Sequence, residues 1–284
     1  MTGPQTAMAP PWLTIHEGGS PLVCSIPHAG SWIPDELRHD FVSDWDAVRD
    51  CDWWVDRLYD FARDLDATLV CTNVSRSVID VNRPADGRSL YPGQATTGLC
   101  PTTNFDGAPL YRVGREPDDA AIARRKAQYH QPFHAALASQ IARLRERHCA
   151  VVLYDCHAIR SRIPRLFDGQ LPALNVGTND GASCSPELQA IVADACRASG
   201  RDYVVNGRFK GGAITRQYGQ PDAGVHAIQM ELACRAYMHE PADAPSGENW
   251  PSPWSADASA ALRATLQTLL QALRDWAARQ KPNR

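Results

Sequence analysis

Short apolar runs rich in Val, Ile and Leu recur along the chain at 21–27 (PLVCSIP), 67–75 (ATLVCTNVS), 150–157 (AVVLYDCH), 173–178 (ALNVGT), 203–208 (YVVNGR) and 225–232 (VHAIQMEL). Most are bounded by turn-forming residues, the pattern of strands buried on both faces. Between them, segments 46–65, 117–147, 185–199 and 256–279 carry apolar residues at spacings of three and four, which predicts amphipathic helices. Asp118 and Asp119 follow Pro117 at the start of the second, where a helix N-terminus favours proline and acidic side chains. Strands alternating with helices predict a three-layer α/β/α domain with a mixed, largely parallel central sheet. Ligands of such sheets bind at the carboxyl ends of the strands.

Two stretches break the pattern. Residues 84–115 are rich in Gly, Pro and Thr and too long for an ordinary connection, so they are expected to form a site-shaping loop. Residues 239–254 (HEPADAPSGENWPSPW) read as surface packing before the last helix. Neither resembles a linker between domains, and 1–284 is expected to be one domain.

Composition narrows the function classes. The 284 residues are 44% hydrophobic, enough for a substantial core, and the net charge is −3. That charge gives no electrostatic case for nucleic acid or an anionic membrane, and a small-molecule substrate is the default. Nine cysteines without C-x-x-C pairs read as reduced, core-filling thiols. The beginning MTGPQTAMAPPW lacks a charged segment followed by a long apolar one, and no apolar run reaches membrane-spanning length. A soluble, cytoplasmic protein is expected; oligomeric state leaves no signal.

Candidate chemistry sits at strand ends. His28 closes the first run and His157 the third, and neither ring adds to a core. One such histidine is more often structural. Two in matching positions, with carboxylates nearby, suggest a metal centre, because catalytic zinc takes three protein ligands and leaves one position for water. Asp50, Asp52 and Asp56 in RDCDWWVDRLYDF are candidates for the third ligand, with helix N-terminal capping as the alternative for each. In SRSVIDVNR (75–83), Arg76, Asp80, Asn82 and Arg83 stand beside the long loop; they suit either carboxylate recognition or a surface ion-pair network. RFKGGAITRQYG (208–219) joins a Gly-Gly break to Lys210 and Arg216, a candidate anion clamp. Glu231, flanked by Met230 and Leu232, is expected to be partly buried with a raised pKa, as suits a general base.

SIPHAG, DCDWWVDRLYDF, SRSVIDVNRP, LYDCHA, FKGGAITRQYG and IQMEL, spanning residues 23–237, occur in the order seen in the N-formylglutamate amidohydrolase (deformylase) family, which the chain resembles. That family is distantly similar to the zinc carboxypeptidases and aspartoacylase, through Asn82-Arg83, His157 and the strand bearing Glu231. The resemblance implies a zinc-carboxypeptidase-like (phosphorylase/hydrolase-like) fold. It implies His28 and His157 as zinc ligands, Glu231 as general base, and Asn82, Arg83, Arg76 and Arg216 as substrate-binding residues. His28 lacks the glutamate of the carboxypeptidase HxxE pattern, since 29–31 read Ala, Gly and Ser. Asp52 is taken as the third ligand, with Asp50 and Asp56 open. The implied reaction is metal-dependent hydrolysis of N-formyl-L-glutamate to formate and L-glutamate, a step of histidine degradation. Zinc is the implied ion, and cobalt, manganese or iron would suit the same donors. A zinc carboxypeptidase or acylase for another N-acyl amino acid, or a non-catalytic binding protein, are the alternatives; retention of Glu231 argues against the last.

Overall fold

The computed structural model describes residues 12–90 and 93–281. In chain order its first half runs β1 (Leu13–His16), β2 (Leu22–Ile26), α1 (Asp35–Arg38), α2 (Val55–Leu58), β3 (Thr68–Thr72), α3 (Asp119–Arg125) and α4 (Gln131–Arg145). The second half adds β4 (Val151–Ile159), β5 (Leu174–Gly177), α5 (Pro186–Ala198), β6 (Tyr203–Val205), α6 (Ala213–Tyr218), β7 (Val225–Ala233) and α7 (Ala256–Ala278). The strands form one mixed sheet in the order β1-β3-β2-β4-β7-β5-β6. Its centre, β3-β2-β4-β7, is parallel, while β1 pairs antiparallel with β3 and β5 antiparallel with β7. All six apolar runs are strands. β1 was not foreseen, because four residues with two polar side chains carry too little apolar signal.

Side chains of a strand alternate between faces, and this sorts the core into two layers. Leu22, Cys24, Tyr154, Cys156, Ile228 and Met230 pack under α5 and α7, against Leu188, Val192, Leu262, Leu266 and Leu270. Val23, Val70, Val151, Leu153 and Ala227 face the other way, onto Phe133, Leu137, Ile141 and Leu144 of α4.

Two expected helices differ in detail. Segment 46–65 is not one helix: α2 and a 3-10 turn at Asp60–Leu65 follow a series of turns, with Trp54 at φ 63. The side chain of Asp52 accepts a hydrogen bond from the Ala158 amide at 3.1 Å, which holds the segment against β4 where a helix would lift it away. Segment 117–147 is helical throughout but contains a π-helical turn at Lys126–His130, just before Pro132. Proline has no N–H to continue the ladder, so the turn widens. Asp118 caps α3, its carboxylate accepting from the Ala121 amide at 2.7 Å. Among the described residues no helix is long and apolar enough to cross a membrane.

Candidate active site

The alternation that builds the α4-facing layer continues to the carboxyl ends of β4 and β7, but its residue types change. After Val151 and Leu153 come Asp155 and His157; after Ala227 come Gln229 and Glu231. The register pairs Asp155 with Gln229 and His157 with Glu231, so four polar side chains project side by side where α4 no longer covers the sheet. All four are buried, and burial without partners would be costly.

The loop after β2 delivers His28 to the same place. Its ring centroid is 4.8 Å from that of His157. The Asp52 amide donates to the His28 carbonyl at 2.9 Å, which brings the Asp52 carboxylate between the two imidazoles. Asp52 Oδ2 lies 3.0 Å from His157 Nδ1 and 3.6 Å from His28 Nδ1. One ligand atom from each residue falls within 4.8 Å of the others. Behind each ring stands a second carboxylate: Asp80 Oδ1 is 2.7 Å from His28 Nε2, and Asp155 Oδ2 is 3.1 Å from His157 Nε2. Asp80 on Nε2 leaves His28 Nδ1 facing the shared point, as in metal-bound histidines, while His157 Nε2 has both Asp155 Oδ2 and, at 2.8 Å, the Asn82 Nδ2 amide beside it. His28 Nδ1 is buried with no hydrogen-bond partner, an orphaned acceptor aimed at the shared point. Two nitrogens and one carboxylate oxygen fit a divalent cation.

Of the three candidate carboxylates, only Asp52 joins the histidines. Asp50 accepts a hydrogen bond from the Phe105 amide at 2.7 Å and faces Arg160, and burial pushes its pKa up. Asp56 is exposed on α2. Arg76, buried between them, donates to Asp52 Oδ1 at 3.1 Å and Asp80 Oδ2 at 3.0 Å, with its guanidinium over the Phe105 ring. Although burial works the other way, the cationic neighbours hold Asp52 and Asp80 below the usual carboxylate range. His157 is held well above its ordinary value: burial opposes the charge, and Asp155 and Asp52 outweigh it.

Glu231 lines the same cavity as His28 and His157, a small pocket partly open to solvent. Burial pushes its pKa up to about 8, His157 and Arg76 pulling it back and Asp52 and Asp155 adding to the rise. Gln229 Nε2 donates to Glu231 Oε2 at 3.3 Å, and its Oε1 accepts from the Gly212 amide at 2.7 Å, so Gln229 orients the carboxylate.

Asn82 and Arg83 both reach the cavity. The Asn82 amide is already engaged: Oδ1 accepts from the Ile214 amide at 2.9 Å, and Nδ2 donates to Asp155 Oδ2 at 3.3 Å. A Cβ on Gly212 would stand 2.4 Å from Asn82 Nδ2, so only glycine fits beside it. Arg83 donates to the carbonyl and hydroxyl of Thr97 in the long loop, at 2.9 and 3.0 Å.

Arg216 is not on this wall. It lies on α6 with Nε donating to the Gly211 carbonyl at 2.9 Å, and Lys210 lies 3.1 Å from Asp180 at the surface. Arg208, at the other end of the same stretch, lines the cavity. Sequence spacing offered no way to choose between them, since this irregular loop has no periodicity. The roles of Asp155 and Gln229 were also missed, although each stands two positions before a site residue on one strand and so had to share its face.

Comparison with known proteins follows the same lines. A family model described as N-formylglutamate amidohydrolase matches residues 20–238. N-formylglutamate deformylase of Pseudomonas aeruginosa is 44% identical over 265 residues, 93% of this chain and 96% of that protein. The enzyme of the same name from Pseudomonas putida is 45% identical over 267 residues, 94% and 97% of the two chains. A crystal structure of N-formylglutamate amidohydrolase from Ralstonia eutropha JMP134 superposes with a TM-score of 0.76 at 26% identity, covering 94% of this chain and 98% of that one. A gene product of Agrobacterium tumefaciens shares the fold, with a TM-score of 0.68 at 17% identity over 93% and 95% of the chains. The match extends through every segment that builds the cavity, and the chain belongs to the N-formylglutamate amidohydrolase family.

Proposed function

We propose that the protein hydrolyses N-formyl-L-glutamate to formate and L-glutamate, with a divalent metal ion, zinc by preference, held by His28, Asp52 and His157. The observation that carries this reading is the convergence of one ring nitrogen from each histidine and one carboxylate oxygen within 4.8 Å, beside a buried Glu231. Family membership and the deformylase names of the two Pseudomonas relatives support the substrate. An ion bound there would supply Lewis acidity and lower the pKa of a water toward about 7. Cobalt, manganese and iron suit the same donors.

Glu231 is the general base and then the general acid. It takes a proton from the attacking water as a C–O bond forms at the formyl carbon, and returns it to the amide nitrogen as the C–N bond breaks. Burial raises the basicity of this carboxylate above that of an exposed glutamate, which suits a group that takes a proton and gives it back. Gln229 keeps it aimed. Arg76 steadies negative charge on the formyl oxygen, and Arg83 holds a substrate carboxylate. Asn82 acts by fixing Asp155 and α6. We read residues 84–115 as the site-forming loop of a single amidohydrolase domain, a reading supported by Ala95, Thr96, Thr97 and Phe105 on the cavity wall. All nine cysteines are free thiols, which supports a cytoplasmic setting.

Formate release from N-formyl-L-glutamate tests the reading. The wild type should release formate, chelation should abolish release, and Glu231→Gln should lower kcat by about 10²- to 10⁴-fold. Undiminished turnover by the glutamine variant would remove Glu231 from the mechanism; chelator-insensitive turnover would remove the metal.

A further inference from the structure

The turn that carries Asp80, Asn82 and Arg83 belongs to no strand or helix, so its backbone carbonyls need other donors. Helical segment 119–145 supplies three along residues 78–83. Arg125 Nη1 donates to the Val78 carbonyl at 3.1 Å, His130 Nε2 lies 2.9 Å from the Arg83 carbonyl, and His134 Nε2 lies 2.8 Å from that of Val81. The Asn82 carbonyl between them accepts from the Ala213 amide of α6 at 3.3 Å. Residues five apart point about 140° apart around an α-helix. The π-helical turn at Lys126–His130 is one residue wider and returns His130 to the side of Arg125, and His134, one α-turn further on, keeps to it. Both rings are buried, and neither lines the cavity. Burial holds both below the ordinary imidazole pKa, so each is neutral with a single N–H, and a carbonyl that can only accept fixes that proton on Nε2. His134 Nδ1 is left to accept from the Tyr218 hydroxyl of α6 at 2.9 Å.

Resting on the proposed deformylase reading, we propose that His130 is a positioning residue for substrate binding: with His134 it fixes the backbone on either side of Asn82, and so sets the direction from which Arg83 meets the substrate carboxylate. With its carbonyl held from behind, Arg83 keeps its guanidinium on Thr97 and at the cavity wall.

The experiment compares kcat and KM for N-formyl-L-glutamate in the wild type, His130→Phe and His130→Gln, and repeats His130→Phe in an Arg83→Gln background. Phenylalanine keeps a ring and removes the donor, whereas glutamine restores an N–H at similar reach. Losing one hydrogen bond should raise KM roughly 3- to 10-fold in His130→Phe, with kcat within about twofold of wild type, and His130→Gln should recover most of the loss. In the Arg83→Gln background the same change should raise KM little further, because the two residues act as one unit. An unchanged KM, a loss carried by kcat, no recovery with glutamine, or an equal cost with and without Arg83 would make the ring mere packing and overturn the proposal. A wild type that releases no formate fails the deformylase reading instead. Hydrogen exchange then decides the role of His130 without substrate. The Asn82 and Arg83 amides, both bonded to Asp80, should exchange faster in His130→Phe while the amides of α4 keep their wild-type rates; a uniform change, or none, overturns the proposal.

Discussion

Replacing Arg76 with methionine removes a guanidinium wedged between two buried carboxylates while keeping an unbranched side chain to pack on Phe105. Arg76, Asp52 and Asp80 are 8%, 1% and 0% exposed, so solvent cannot take over the lost interaction. With charge centres near 4 Å and an effective dielectric near 20, each ion pair carries about 4 kcal/mol of Coulomb attraction. Desolvation of the arginine offsets part of this, and removing one partner of a buried ion pair typically costs about 3–5 kcal/mol. Arg76→Met should therefore lose about 3–5 kcal/mol in urea denaturation with chelator present. Removing one carboxylate as well, in Arg76→Met/Asp80→Asn, should destabilise by less than the sum of the single changes, because fewer uncompensated charges remain. Zinc added to Arg76→Met should return part of the loss by placing positive charge beside Asp52. A variant within about 1 kcal/mol of wild type under chelation, or one equally destabilised with and without zinc, would falsify this account of how the carboxylates are balanced.

Asp155→Asn takes the anionic partner from His157 Nε2 and should weaken zinc affinity by about 10- to 100-fold in competition with a chelator, and unaltered affinity would show that Asp155 does not support the ligand. His134, against His130 and under Tyr218, has its pKa pushed down to about 4, by burial first and by His130 second. The unfolded chain then binds a proton near pH 6.5 that the folded protein refuses until about pH 4. Stability from this group is thus complete above pH 6.5 and falls as the pH drops toward 4, by up to about 3 kcal/mol. Urea titrations of wild type and His134→Gln between pH 8 and 4.5 should show a shallower acid-side loss in the variant; parallel curves would exclude the effect.

The strands and the polar ends of β4 and β7 were legible because both follow from local rules. Apolar runs such as VVLY and AIQM can only be buried, and alternation along a strand then commits His157 and Glu231 to a face. Burial of a glutamate between Met230 and Leu232 announced a perturbed carboxylate before any fold was known. Segment 46–65 was misread for the same local reason: its apolar spacing suits a helix, but Asp52 gains more from the Ala158 amide and the His157 imidazole, contacts about a hundred residues away in sequence.

By itself, then, the order of residues determined the α/β architecture, the faces of the central strands and the kinds of side chain available for catalysis. Tertiary structure decided which of Asp50, Asp52 and Asp56 meets the histidines, that Asp80 and Asp155 stand behind them, and that Arg208 rather than Arg216 reaches the cavity. Periodicity and burial act between neighbours in the chain and can be read from it. A metal-sized cluster of donors forms where β2, β4 and the 46–58 turns are brought together by the sheet, and that distance in space is written in no single segment.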